Sequence, residues 1–337
     1  MKKSLLTLSL LFVAVIALAS DWHTDILGDG YKSRYVEQPD DYSGKVRSTI
    51  IRKSAPCRRD RGVLYIHGYN DYFFQREMGD RFVDSCISFY AVDLRKYGRS
   101  ILPGQKKFQA RDLHEYFADI DSALAQMHAD GVNNIVLIGH STGGLIASLY
   151  MHEHPKSDIN GLILNSPFLA WNLGGFKRKV AVPVVSAMAK LFPNMAISQG
   201  DNTGYAESLL KSHHGEWDYN TDWKLFHSQK VQSSWIRAIT RAQNELKHNA
   251  DIDVPVLLMH SSGSVGGSKW TPEYQHNDAV LNVNDISRIG RTLGPDVTED
   301  IVPGGLHDLV LSSSSVRSRV YDDMFRWLKI PNRSAKL

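Results

Sequence analysis

The stretch LIGHSTGGLIA, residues 137–147, decides the fold class of this 337-residue chain. Ser141 stands between Gly139 and Gly143 in a Gly-x-Ser-x-Gly pattern, with one apolar run before it and another after it. The preceding run predicts a strand, and the following run predicts a helix that ends before Pro155. A turn this tight leaves no room for a side chain at either glycine and presents the serine hydroxyl at a strand-to-helix bend. We therefore interpret Ser141 as a nucleophile and the two glycines as its elbow.

A serine hydroxyl becomes a good nucleophile only when a neighbouring base accepts its proton. The chain has 14 histidines, and His307 alone follows the final predicted strand in a glycine-rich loop. In this setting the three groups occur in the chain order Ser, Asp, His, which suits a histidine near the carboxyl end. His307 is therefore predicted to be the base.

The acid that orients this histidine is expected after the preceding predicted strand, 254–259. Asp278, in the stretch HNDAVLNV, is the predicted acid. Glu273 and Asp285 stand on the same segment and remain alternatives.

Two backbone amides must stabilise the oxyanion of a tetrahedral intermediate. One is the amide of Thr142, which directly follows the nucleophile. The other is predicted to be the amide of Tyr69, in the stretch HGYND after the third predicted strand. The side chain of His67 is expected to hold this loop rather than to act in catalysis.

The rest of the chain alternates apolar strands with amphipathic helices. Residues 110–129 predict a helix, because large apolar side chains recur there at intervals of three and four. The central strands are rich in Val, Ile and Leu with little alternation, as in parallel strands buried on both faces. The pattern indicates an α/β protein with a mostly parallel eight-stranded sheet and helices on both faces. The predicted strands are 34–37, 46–52, 62–66, 87–92, 134–138, 161–165, 254–259 and 297–302.

The segment 170–250 breaks this rhythm, because it contains helical patterns and no obvious strand. An insertion of this size between the sixth and seventh strands predicts a helical cap over the carboxyl edge of the sheet. We accordingly expect a core formed by residues 20–169 and 251–337.

Residues 1–19 are predicted to be a signal peptide. Two lysines precede an apolar run, and Ala17-Leu18-Ala19 resembles a cleavage site. The apolar run is shorter than the roughly 20 residues that a membrane-spanning helix needs. A periplasmic or secreted protein is therefore expected, with an uncleaved membrane anchor as the alternative.

The chain has two cysteines, Cys57 and Cys86. Each precedes a predicted strand, and neighbouring parallel strands would bring these two starts together. A disulfide is therefore predicted, as an oxidising compartment would allow. Two free buried thiols are the alternative.

Composition excludes several classes of protein. With 42% hydrophobic and 22% charged residues, the chain has the composition of a globular protein. A net charge of +3 without a long basic run gives no sign of nucleic-acid binding. No residues cluster at metal-ligand spacing, and no glycine-rich phosphate loop is present, so neither a metal nor another cofactor is expected.

The stretches YIHGYND, AVDLRKYGRS, GHSTGG, DAVLNV and GGLHDLVLS together resemble the α/β-hydrolase superfamily. Within it, they are similar to the branch of monoacylglycerol lipases, lysophospholipases and serine aminopeptidase-like hydrolases. The resemblance spans residues 45–328 and implies the same triad, oxyanion hole and cap. Two features depart from the lipases: Thr142 follows the serine where Met or Gln is usual, and the segment before Asp278 is longer.

The resemblance implies a serine hydrolase that cleaves carboxylic esters, with a small or lipid ester as substrate and possible peripheral contact with a membrane. A serine nucleophile disfavours the dehalogenase and epoxide-hydrolase chemistries of this fold. An aminopeptidase-like amidase is one alternative, and its acidic candidates are Glu207, Glu216, Asp218 and Asp222. A non-catalytic binding protein is the other. Side chains on the loop after the fourth strand, Asp93, Arg95 and Arg99, are expected to be structural.

Overall fold

The computed structural model describes residues 22–57, 60–267 and 269–329. Its central element is a twisted sheet of nine strands in the order β1-β2-β3-β5-β4-β6-β7-β10-β11. The strands are β1 His23–Thr24, β2 Lys32–Asp41, β3 Gly44–Lys53, β4 Arg61–Ile66, β5 Ser88–Asp93, β6 Asn134–His140, β7 Ile159–Asn165, β10 Val256–Ser261 and β11 Val297–Val302.

All eight predicted strands are present, and a ninth, the two-residue β1, pairs with β2 at one edge. The first three strands run antiparallel to their neighbours, whereas the strands from β5 to β11 pair in parallel. Every residue of β5 is buried, as expected for a strand covered on both faces. The α/β fold predicted from the sequence is confirmed.

Successive side chains of the strands enter two separate cores. Leu64 belongs to the core that lies under the helices α2 Phe117–Ala129, α3 Thr142–Glu153 and α7 Val283–Gly290. Tyr65, the next residue of β4, belongs to the core under α1 Arg76–Asp84 and α8 Ser314–Leu328. Helices therefore cover both faces of the sheet, as predicted.

The helix predicted over 110–129 begins later than expected. Asp112 and Glu115 form a capping box, which starts a 3₁₀ turn at Leu113–Tyr116 and leads into α2. The side chain of Asp112 accepts a hydrogen bond from the His114 amide, so the chain is fixed in an extended conformation at this point.

The segment between β7 and β10 contains the residues 170–250 predicted as the cap. It holds a π-helical turn at Lys177–Ala181 and the helices α4 Val182–Met188, α5 Gly204–Leu209 and α6 Ser233–Asn249. It also contains a short antiparallel pair, β8 Ala196–Ile197 with β9 Val231–Gln232, which the sequence pattern did not reveal. Strands of two residues carry no detectable periodicity, which explains the omission.

The predicted disulfide between Cys57 and Cys86 is present, with an S–S distance of 2.00 Å. Its position follows from the sheet, because Gly62 of β4 pairs directly with Ser88 of β5. The predicted signal peptide, residues 1–19, lies outside the described residues. Within the ranges that the structure describes, no helix is long and apolar enough to cross a bilayer.

The loop after β5 is held by buried ion pairs. Arg99 donates to both carboxylate oxygens of Asp25 at 2.8 Å and also to Asp93 at 2.8 Å. Arg95 pairs with Asp119 at 2.7 Å. Burial works against the charge of Arg99, yet its two carboxylate partners raise the pKa of the guanidinium above the usual value. These side chains are structural, as expected from the sequence.

Candidate active site

Ser141 lies at a strained bend between β6 and α3. Its backbone has φ 53° and ψ −116°, a conformation that costs energy for a residue with a Cβ. A Cβ on Gly143 would lie 2.3 Å from the carbonyl oxygen of Ile66, and one on Gly139 would lie 2.6 Å from that of Gly143. The structure thus gives the physical reason for both glycines. Gly144 also faces a close neighbour, because a Cβ there would lie 2.9 Å from Pro167.

The three predicted catalytic side chains lie together in one hydrogen-bonded series. His307 Nε2 is 2.9 Å from Ser141 Oγ, and His307 Nδ1 is 2.9 Å from Asp278 Oδ2. Since a carboxylate only accepts, the Nδ1–H donates to Asp278, and Nε2 is left with a lone pair facing the serine hydroxyl. Residues from three distant parts of the chain are brought together by the ends of β6, β10 and β11.

Asp278 is fully buried and its second oxygen is also bonded. Oδ1 accepts hydrogen bonds from the amides of Val280 and Leu281, both at 2.8 Å. The two alternative acids have other partners. Glu273 accepts from Asn277 at 3.1 Å, and Asp285 pairs with Arg178 at 2.6 Å. Neither bonds to His307.

The loop after β4 lies directly against the nucleophile. A Cβ on Gly68 would lie 3.1 Å from Ser141 Cβ, so the loop backbone closely approaches the serine. No hydrogen bond occupies the amide of Tyr69 or of Thr142 within the described part of the chain. Thr142 is the first residue of α3, where helical amides have no intrahelical partner.

His67 anchors this loop through both ring nitrogens. Its Nε2 accepts from the Leu94 amide at 3.1 Å, which leaves Nδ1–H to donate to the Gly68 carbonyl at 2.8 Å. The ring is fully buried and lies 4.8 Å from that of Tyr97. The structural role expected for His67 fits these contacts.

A buried polar layer behind His307 was not predicted from the sequence. Asp308 accepts from Asn165 Nδ2 at 2.7 Å and from Gln75 Nε2 at 3.1 Å. The ring of His140 lies 4.9 Å from that of His307, and burial lowers the pKa of His140 below its ordinary value. This layer fixes His140, which precedes the nucleophile, and Asp308, which follows the base.

One trio in the described residues has the geometry of possible metal ligands. Donor atoms of Asp71, His140 and Asp308 lie within 4.8 Å of one another and all three residues are buried. The Lys224 ammonium, however, lies 3.0 Å from Asp71 Oδ1, and both oxygens of Asp308 already accept hydrogen bonds. The positive charge beside Asp71 disfavours a cation there. No regular spacing links the three positions, so the sequence alone did not bring them together.

Aromatic side chains form a cluster on and near the two loops that contact the nucleophile. The Tyr69 ring lies 4.6 Å from that of Trp235 and 5.2 Å from that of Phe108. The Phe168 amide donates a hydrogen bond to the Ser141 carbonyl at 2.9 Å, and the Phe168 ring lies 5.1 Å from that of Trp171. Burial raises the pKa of the Tyr69 hydroxyl to about 12. Both loops that contact Ser141 therefore contribute rings to one aromatic cluster.

Three of the four acidic candidates on the segment predicted as the cap already have a side-chain partner. Glu216 is paired with Arg317, and Asp218 with Lys211. Asp222 is exposed. The side chain of Glu207 accepts a hydrogen bond from Thr203. No hydrogen bond or ion pair among the described residues joins these four side chains to one another or to Ser141.

Known proteins with this architecture include two enzymes of solved structure. One is a soluble variant of monoglyceride lipase from Saccharomyces cerevisiae in complex with a substrate analog. It has a TM-score of 0.67 and 20% identity, over 88% of this chain and 94% of that one. The other is a thermostable carboxyl esterase from Bacillus coagulans in complex with glycerol. It has a TM-score of 0.61 and 14% identity, over 88% and 97%. At these identities the likeness concerns the fold.

Sequence comparison gives one family match and shorter similarities. AB hydrolase superfamily protein YisY of Bacillus subtilis (strain 168) is 32% identical over 108 residues, which are 32% of this chain. The chain spans only about a third of that relative, 37% of its length. The family described as serine aminopeptidase, S33, matches residues 58–267, well over half of the 337.

Proposed function

Because the chain belongs to the serine aminopeptidase S33 family of α/β hydrolases, we propose that it is a serine hydrolase that cleaves carboxylic esters. The single observation that carries the proposal is the bonded series Ser141, His307 and Asp278 at a strained elbow, with 2.9 Å at each link. A buried nucleophile, base and orienting acid in this order suit acyl transfer.

In the proposed first step, Ser141 Oγ attacks the ester carbonyl while His307 Nε2 accepts the hydroxyl proton. The negative charge of Asp278 stabilises the imidazolium that forms and keeps the ring in its orientation. The oxyanion accepts hydrogen bonds from the amides of Tyr69 and Thr142. His307 then gives its proton to the leaving alkoxide, and the acyl group remains on the serine.

In the second step, water attacks the acyl-enzyme and His307 again acts as the base. The carbonyl carbon forms a bond to the water oxygen, and the bond to Ser141 Oγ breaks. The serine takes back its proton from His307 and the carboxylic acid leaves. No electron donor, acceptor or further reactant is needed.

An acyl substrate is favoured by the aromatic cluster near the nucleophile. Tyr69 and Phe168 lie on the two loops that contact Ser141, and their rings pack with those of Trp235 and Trp171 in this cluster. Burial of a methylene group against such surface contributes about 0.8 kcal/mol. We therefore expect turnover to rise with acyl length until the acyl chain extends past the aromatic cluster.

The exterior of the cap favours a lipid ester at a membrane or other lipid surface. Large apolar side chains project from residues 173–192 to an unusual extent, with Phe176 76% and Leu191 79% exposed. Exposed lysines at positions 177, 179 and 190 are interspersed among them. A basic segment with an apolar face suits peripheral contact with an anionic lipid surface. The other exposed large hydrophobic residues of this segment are Leu173, Val180, Val184, Met188 and Phe192.

The location is part of the proposal. With residues 1–19 as a cleaved signal peptide, the mature chain would work in the periplasm or outside the cell. The disulfide between Cys57 and Cys86 suits an oxidising compartment. N-terminal sequencing of the protein recovered from its native compartment tests this, and an intact Met1 would contradict it.

The amidase alternative has less support. An aminopeptidase-like enzyme needs an unpaired acid for the substrate amine, and three of the four acidic candidates already have a side-chain partner. Asp71 is the buried acid of the loop after β4, and the Lys224 ammonium already lies 3.0 Å from it. A non-catalytic binding protein would have no need of the strained conformation at Ser141.

The decisive experiment is active-site labelling of the mature protein with a fluorophosphonate, beside Ser141→Ala. Labelling of the wild type alone, together with hydrolysis of p-nitrophenyl esters from acetate to palmitate, is the expected result. Labelling without ester turnover, but with cleavage of an aminoacyl amide, would move the assignment to the amidase. A folded wild type that is not labelled would overturn the proposal in favour of the binding protein.

A further inference from the structure

We propose that the cap positions the oxyanion hole, with Asn70 as the positioning residue that connects them. The inference rests on the proposed function and adds to it a specific role for the cap segment 220–225. The segment would act through the amide of Tyr69, which directly precedes Asn70 in the chain.

Asn70 bonds to the backbone of the cap at both ends of its side-chain amide. Its Nδ2 donates to the Leu225 carbonyl at 2.9 Å, and its Oδ1 accepts from the Leu225 amide at 2.7 Å. The side chain therefore pairs with Leu225 much as a neighbouring strand would. The backbone of Asn70 has φ 50°, a left-handed conformation that asparagine tolerates better than most residues.

The next two residues of the loop contact the same cap segment. Asp71 accepts from the Lys224 ammonium at 3.0 Å, and both residues are buried. The Tyr72 hydroxyl accepts from the Asn220 amide at 2.8 Å, and its ring lies 5.2 Å from that of Trp223. Three consecutive loop residues thus each bind one short stretch of the cap.

This arrangement fixes the loop from two sides. On one side, Gly68 is packed against Ser141. On the other, residues 70–72 are bonded to the cap. The Tyr69 amide lies between these attachments and has no hydrogen-bond partner of its own in the described part of the chain. An oxyanion donor must be held within about 0.5 Å of its productive position. Losing one such donor costs about 100-fold or more in kcat.

The main test is Asn70→Gly, which removes both bonds to Leu225 yet still accepts the left-handed backbone. Tyr72→Phe removes only the acceptor of the Asn220 amide and keeps the ring. Arg241→Gln is the matched control, because it breaks a different contact between the cap and the core, the 2.7 Å ion pair with Asp112. Lys224 is left intact, since its loss would leave the buried Asp71 carboxylate without its cationic partner.

The expected result for Asn70→Gly is a kcat lower by about tenfold or more, with KM and the thermal midpoint close to the wild type. The affinity for a trifluoromethyl ketone, whose adduct with Ser141 carries an oxyanion, should fall by the same factor as kcat/KM. Tyr72→Phe should change both quantities in the same direction by less. Arg241→Gln should leave them within about twofold.

Hydrogen exchange gives a readout that does not depend on turnover. In Asn70→Gly, amide exchange should become faster in the loop 67–72 and in the cap segment 219–226 together. Faster exchange in the cap alone, an unchanged kcat, or an equal loss in Arg241→Gln would each overturn the inference. If the wild type neither hydrolyses esters nor binds the ketone, the proposed function fails, and the exchange of the two segments alone decides whether the loop is held by the cap.

Discussion

Replacing Asp278 by asparagine should abolish most of the activity while leaving the fold intact. In the wild type, Asp278 Oδ1 accepts two backbone amides and Oδ2 accepts from His307 Nδ1 at 2.9 Å. The asparagine carbonyl can keep the two amide bonds, which turns its NH₂ group towards His307. Nδ1 must then accept, so the proton moves to Nε2 and points at the Ser141 hydroxyl. A ring in this tautomer cannot accept the proton of the serine.

The magnitude follows from the loss of the base in its working form. Removing the correct tautomer from a serine-histidine pair costs about 10⁴-fold in kcat, which corresponds to about 5.5 kcal/mol of activation free energy. The assay is the hydrolysis of a short p-nitrophenyl ester at neutral pH, with the thermal midpoint as the measure of folding. Glu273→Gln and Asp285→Asn are the matched controls, and each should retain activity within about twofold.

Two results would contradict the assignment of Asp278 as the orienting acid. A folded Asp278→Asn protein that keeps more than about a tenth of the wild-type kcat would show that another group orients His307. A loss in Glu273→Gln or Asp285→Asn as large as that in Asp278→Asn would assign the acid elsewhere.

Three further outcomes are expected. Gly143→Ala should abolish activity or soluble expression, because the alanine Cβ would lie 2.3 Å from a backbone oxygen. Gly174→Ala is the control and should keep both, because the space around Gly174 is open. The activity and the soluble yield of the two variants test this. Replacing Cys57 and Cys86 by serine should lower the free energy of unfolding in urea by about 4 kcal/mol, from the separation of 29 residues, without changing KM, and an unchanged urea midpoint would contradict this. Burial lowers the pKa of His140, so the unfolded chain takes up a proton where the folded one does not. The free energy of unfolding should therefore fall as the pH drops below about 6.5; His140→Asn should flatten this dependence in urea titrations, and an equally steep dependence would contradict the assignment.

Local signals in the sequence were sufficient for much of the fold. β11 lies at Val297–Val302, as predicted, and the other strands differ from expectation only at their ends. The glycines around Ser141 revealed the elbow, because the steric constraint that requires a glycine at each position acts within the turn itself. The disulfide followed from the position of each cysteine before a strand, since parallel neighbours begin at the same edge.

Contacts between distant segments were beyond the reach of the sequence patterns. Asn70 and Leu225 are separated by 155 residues, and nothing near either residue indicates the other. Lys224 is buried against Asp71, and no feature of the polar stretch around it indicates this contact. The capping box of Asp112 and Glu115 was a readable signal that would have given the correct start of the helix.

The cap leaves the sheet at the carboxyl end of β7 and returns at the amino end of the neighbouring strand, β10. An excursion that begins and ends on adjacent strands can be lengthened, shortened or exchanged in evolution without changing the strand order. The pairing of Asn70 with Leu225 limits this freedom, because an exchanged segment must bring its own partner for the loop. Among descendants of this chain, the outer stretch 173–192 is therefore free to change in length and sequence, whereas 220–225 should be inherited together with the loop.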